Sequence, residues 1–102
     1  MSSKYLFLYS GGEMPQSEAA GKAMMAAWMA WFGKAGSAIV DGGAPFAAGS
    51  RRFGKATASG ATGYSIVQAE SAAAAAALTE GHPHLAHGGG IEIFELAKIP
   101  GM

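Results

Sequence analysis

The hydrophobic pattern changes period several times along this chain, and each change marks an element. Lys4–Tyr9, "KYLFLY", is an unbroken aromatic and aliphatic run that stops at Ser10-Gly11-Gly12, as a strand does on entering a turn. From Ser17 to about Ala35 the spacing predicts a helix, with Ser17 as its cap, Glu18 in the first turn and Gly36 as terminator. "AIVDG", Ala38–Gly42, predicts a short strand ended by glycine, and "GYSIVQA", Gly63–Ala69, a further strand. Residues 43–62 between them, rich in Gly, Ala and Ser, read as a long loop with a short strand around Arg52–Thr57. Ser71 then caps a second helix through "AAAAAALT", where alanine favours helix by propensity rather than by packing. "IEIFELA", Ile91–Ala97, predicts the last strand.

The order β-α-β-β-α-β predicts an α+β protein of the ferredoxin-like, split βαβ kind: a four-stranded, mainly antiparallel sheet with two helices on one face. The strands carry more apolar surface than that arrangement covers. Leu6 and Leu8 point one way from the first strand while Tyr5, Phe7 and Tyr9 point the other, and Ile91 and Ile93 oppose Phe94 and Leu96 in the last. A sheet with one wet face alternates apolar with polar, and these strands do not. In the first helix Ala20, Met24, Ala27 and Trp31 form one stripe with Trp28 beside it, leaving Met25, Met29 and Phe32 outside. The expected remedy is a second copy of the chain, the two bare sheets packing together as a homodimer.

Composition narrows the function classes. A chain of 102 residues predicts a single domain, residues 1–102. Half the residues are hydrophobic, which argues against disorder. Seven basic and seven acidic residues cancel, so there is no field to gather nucleic acid or an anionic membrane. The absence of cysteine removes disulfides, thiolate catalysis and Cys-based zinc sites. The N-terminal apolar stretch lacks a small-residue cleavage site, and the longest apolar run, Ala23–Phe32, is ten residues against the roughly 20 of a membrane span. A cytoplasmic location is expected.

Taken in order, "YLFLYSGGE", "AAWMAWFGKAG", "IVDGGAPF", "GYSIVQAESAAAAAAL" and "GHPHLAHGGGIEIFEL" resemble the YCII-related proteins, and most of all the branch called DGPF-domain proteins. The resemblance covers nearly the whole chain and implies a dimeric α/β-barrel of ferredoxin-like protomers. Some relatives are encoded beside extracytoplasmic-function sigma factors, and an elimination-type activity is reported in one branch. Two departures stand out. Better-studied relatives carry a histidine in the first helix, paired with an aspartate as an acid–base dyad, whereas Ser17–Ala35 has none. The Asp-Gly-Pro-Phe motif is expanded here to Asp41-Gly42-Gly43-Ala44-Pro45-Phe46, and the chain continues "AAGSRRFGK" where many relatives mix acidic and basic residues.

The candidate chemistry lies at two places. Asp41 closes a strand before two glycines, where it serves either as a general acid or base beside a cleft or as an acceptor for the amides of its own turn. All three histidines fall in "EGHPHLAHGGG", Glu80–Gly90. An extended backbone would put His82 and His84 on one side as paired metal ligands, with Asp41 or Glu92 to complete the shell. Pro83 and the following glycines favour instead one helical turn with His82 near its N-cap and His84 and His87 sharing a face. On that reading no metal and no cofactor is expected, and His82 or His84 is the candidate proton-transfer partner of Asp41. Arg51 and Arg52, with Pro45 and Phe46 of the expanded motif, are candidate ligand-binding residues. "GSRRFGKA", Gly49–Ala56, matches the Walker A outline by chance, since Ala56 replaces the magnesium-binding hydroxyl and no helix follows. Trp28 and Trp31 with Met24, Met25 and Met29 read as core or subunit interface before they read as a ligand pocket.

Two functions remain open on the sequence. One is a small cytoplasmic homodimer whose cleft binds a small molecule, with Asp/His acid–base chemistry of the elimination or isomerisation type. The other is a noncatalytic ligand-sensing or regulatory module, linked through the resemblance to an extracytoplasmic-function sigma factor.

Overall fold

The computed structural model describes residues 2–100. Strand β1 spans Ser3–Gly11 and leads to helix α1, Glu18–Ala35. A single 3-10 turn, Gly36–Ala38, passes into β2, Ile39–Pro45, and β3 follows at Ala61–Ala69. Helices α2, Ala72–Ala77, and α3, Pro83–Ala86, precede β4, Gly89–Glu95. The four strands form one sheet in the order β2-β3-β1-β4, with every neighbouring pair antiparallel. This is an α+β chain with a four-stranded antiparallel sheet, compatible with a ferredoxin-like fold.

The helix caps fall where the residue types place them. Ser17 accepts a hydrogen bond from the Ala20 amide at 3.0 Å, and Gly36 ends α1 at φ 53° with its amide donating to the Phe32 carbonyl. Ser71 caps α2 in the same way through the Ala74 amide. Several expected boundaries shift: α2 ends at Ala77 rather than Thr79, and β4 runs Gly89–Glu95 rather than Ile91–Ala97. No strand forms around Arg52–Thr57; residues 46–60 make an exposed loop with a bend at Ala48 and a turn at Gly54–Lys55. β2 also runs further than expected, to Pro45, because two irregularities in its pairing with β3 let Gly42 and Gly43 stay in the sheet. Gly43 sits at φ 74°, and a Cβ there would run into the Tyr64 carbonyl, so only glycine fits.

The core lies on one face of the sheet. Tyr5, Phe7 and Tyr9 of β1 and Val67 of β3 are buried there beneath Trp31 and Ala35 of α1 and Ala75 of α2. Ile91 and Ile93 of β4, opposite Tyr9 and Phe7, pack against the same cluster. Complete burial of a side chain such as Phe7 is worth about 1.5–3 kcal/mol relative to its exposure. The Trp31 indole N–H donates to the Leu78 carbonyl at 2.8 Å and ties α1 to the end of α2. Phe32, outside the expected stripe of α1, packs inward against Trp28 and Trp31 and lies over Gly42. The opposite face carries Leu6 and Leu8 of β1, Tyr64 and Ile66 of β3, Val40 of β2 and Phe94 of β4, with no element of the described chain packed over it.

Candidate functional site

Between α1 and the β2–β3 edge opens a cleft of about 860 Å³, within the range of small-molecule sites. Met24, Met25, Trp28 and Phe32 of α1 form one wall, and Gly42, Gly43 and Gly63 form a floor that is almost bare backbone. The absence of side chains on this floor is what leaves room beneath the helix. The polar residues of the lining are Tyr9, Thr62, Tyr64, His84 and the Glu18–Lys22 pair, whose charges sit 3.8 Å apart in full solvent and contribute little to stability. The Trp and Met stripe of α1 therefore divides: Trp31 is core, Trp28, Met24 and Met25 face the cleft, and Met29 is exposed.

Behind the cleft wall lies His82, 1% exposed, its ring against Trp28, Trp31 and Tyr9. Its place follows from the sequence. The residue before a proline is held extended, and His82 at φ −66°, ψ 132° caps α3 with Pro83 at the first helical position. The His82 Nδ1 accepts from the His84 amide at 3.1 Å. In the neutral ring the proton is then on Nε2, which donates to the Tyr9 hydroxyl 3.2 Å away. Tyr9 in turn donates to Ser65 Oγ at 2.8 Å, and Ser65 donates to the Gly42 carbonyl at 2.9 Å. Every hydrogen bond in this line runs in one direction and ends on the cleft floor.

The line holds its members in their neutral forms. Burial, with the neighbouring His84, brings the His82 pKa down to about 4, and burial pushes the Tyr9 phenol up to about 12. Neither group changes charge near neutrality. A protonated His82 would also lose the lone pair that caps α3.

His84 is the histidine on the cleft itself. Its Nε2 lies 2.9 Å from the Ser10 carbonyl, which only accepts, so Nε2 carries a proton and Nδ1 is the nitrogen left over. The ring packs against Tyr9 and fills space left by Gly12 and Gly89; a Cβ on Gly89 would collide with it. The glycines after His87 thus seat the imidazole as well as ending the turn. His87 carries its contact through its backbone, the carbonyl accepting from the Glu13 amide at 2.8 Å. Among the described residues no three His, Asp or Glu side chains converge as metal ligands would.

The structure does not bring Asp41 together with either histidine. Its Oδ1 accepts from the Gly43 amide at 2.8 Å, the turn role, and its Oδ2 accepts from the Tyr64 hydroxyl at 3.1 Å. Tyr64 and Ser65 are consecutive in β3 and project from opposite faces. Asp41 therefore lies on the open face and the His82 line on the covered one. Asp41, by its hydrogen bond and its charge, raises the Tyr64 pKa above the usual phenol value. Pro45 borders the cleft, whereas Phe46 turns to the open face with its ring 6.2 Å from that of Tyr64. Arg51 and Arg52 stand in the exposed loop, away from the cleft lining.

Tyr9 and Ser65 were not among the candidates. The signal for Ser65 is a hydroxyl at the position of β3 that alternation assigns to the core, between Gly63 and Val67. No protein-family model matches the chain, nor does any curated protein or solved structure.

Proposed function

We propose that this chain is a noncatalytic binding module of the YCII-related type, a cytoplasmic homodimer whose cleft takes a small, largely apolar molecule. One observation carries the reading: the cleft under α1 is walled by Met24, Met25, Trp28 and Phe32 over a glycine floor, and its buried polar neighbours are already satisfied among themselves. Catalysis gains no support from the sequence-predicted pair, since Asp41 and His82 face opposite sides of the sheet. A catalytic role at the cleft rests on His84, whose Nδ1 is not committed to a hydrogen bond. The homodimer rests on the apolar open face, where Leu6, Leu8, Ile66 and Phe94 stand together.

The test uses 8-anilinonaphthalene-1-sulfonate as probe, with Trp28 and the adjoining Trp31 as fluorescence donors. Saturable binding is expected, weakened at least tenfold by Met24→Arg, which places a charge in the apolar wall. Leu8→Glu on the open face should leave it within twofold. The reverse result, loss with Leu8→Glu and retention with Met24→Arg, would move the binding surface to the open face and end the cleft reading.

A further inference from the structure

The loop between β2 and β3 concentrates a charge that the composition conceals. Residues 46–60 hold three of the seven basic residues, Arg51, Arg52 and Lys55, and none of the seven acidic ones. The rest of the chain carries four basic residues against seven acidic. Between the arginines and the lysine stands Phe53, 80% exposed, with Phe46, 50% exposed, at the root of the loop. The two ends of the loop are pinned together, since the Phe46 amide donates to the Thr62 carbonyl at 2.8 Å. The loop is thus a closed arm, and at its root Phe46 meets Tyr64 of the open face. The radius of gyration of the chain is 14.8 Å, against roughly 13 Å for a compact chain of this length.

The open face offers the complementary chemistry. Glu92 of β4 lies opposite Leu8 and so shares its face, as Asp41 does on β2. Glu92 and the three basic residues of the arm form no ion pair among the described residues. The sheet face is too small to form a stable interface by itself. Four strands of this length offer a flat footprint of roughly 500 Å², short of the roughly 800 Å² per partner of a standard interface. A closed arm of this length reaches about 20–25 Å, enough to cross a partner's sheet.

We infer that the 46–60 arm of each copy clasps the open face of a second copy, its arginines meeting the partner's Glu92 and Phe53 extending the apolar contact. The inference rests on the homodimer reading above and adds to it the segment that completes the interface. Sedimentation velocity from about 1 to 100 µM, around the weak end of the affinities that standard-size interfaces show, reads the outcome for the intact chain. Wild type is expected to dimerise. Arg51→Glu with Arg52→Glu should weaken the dimer at least tenfold, Glu92→Lys should weaken it similarly, and the three changes together should restore most of the loss. All three positions are exposed, so circular dichroism should be unchanged throughout. A dimer indifferent to these changes leaves the sheet-face reading standing and overturns the arm. A monomeric wild type at 100 µM removes both. Co-sedimentation with phosphatidylserine vesicles, abolished by the paired arginine changes without any effect on dimerisation, would reassign the arm to a membrane and overturn the inference.

Discussion

The two faces of the sheet are built from alternate residues of the same strands and have opposite characters. On the covered face Tyr9, Ser65 and His82 are buried, hydrogen-bonded in sequence and held neutral. On the open face Tyr64 and Asp41 are bonded to each other beside the exposed Val40 and Phe94 and the half-buried Leu6, Leu8 and Ile66. Burial makes the difference. Where water is excluded, each polar group needs a protein partner and charging is costly; where water remains, solvent meets those needs and a pair contributes little.

Truncation is the strongest way to break this comparison. Phe7→Ala should lose about 3–5 kcal/mol of stability in urea denaturation, because it opens a cavity in the covered core. Leu6→Ala, one residue away on the other face, should cost less than about 1 kcal/mol in a monomeric chain. An equal loss at both positions would show that the open face is buried in solution, and a dependence on protein concentration would attribute that burial to association.

Acid titration sharpens the contrast next. The unfolded chain takes up a proton on His82 near pH 6.5, whereas the folded chain resists until about pH 4. The unfolded state therefore binds more protons across that window, and stability falls as pH drops through it. From pH 7.5 to 4.5 the loss attributable to His82 is about 2–3 kcal/mol. His82→Asn, which keeps a capping oxygen but cannot titrate, should remove that slope from urea unfolding measured at both pH values. A slope unchanged in the variant would mean that His82 is charged or solvated in the native state.

Smaller effects test the hydrogen-bonded line and its open-face counterpart. Tyr9→Phe deletes the hydroxyl between His82 and Ser65 and should cost about 1–3 kcal/mol. Ser65→Ala added to it should cost less than the two single losses combined, because both changes break the same line. Asp41→Asn should change stability by less than about 0.5 kcal/mol. Its effect belongs in the ultraviolet titration of Tyr64, whose phenol pKa should move down toward the ordinary value once the charge is gone. A Tyr64 titration that does not move would contradict the hydrogen bond between them.

Much of the fold was legible because its signals are local. Ser17, Gly36 and Ser71 mark helix ends through bonds made within four residues, and strand alternation separates Phe7 from Leu6 without knowledge of the partner strand. Pro83 fixed the short helical turn and with it His82 as its cap. The site was less legible because its contacts span the chain. The Tyr9–Ser65 and Tyr9–His82 bonds join residues 56 and 73 positions apart. The shape of "FAAGSRRFGKATASG" was also hidden, since no periodic face binds that loop to the core.

Residue order alone set the succession of the main helices and strands, the alternation of faces along β1, β3 and β4, and the surplus of apolar positions. Those properties follow from backbone geometry and the nearest neighbours. Only the tertiary structure decided that His82 is a neutral buried link, that His84 alone of the histidines meets the cleft, and that Asp41 lies across the sheet from both. The irregularity between Ile39 and Asp41 in the pairing of β2 with β3 sets the side on which Asp41 emerges, and the packing of Trp28 and Trp31 sets the dryness around His82. Protonation and partnership depend on the surroundings a side chain is folded into, and those surroundings come from residues remote in the chain.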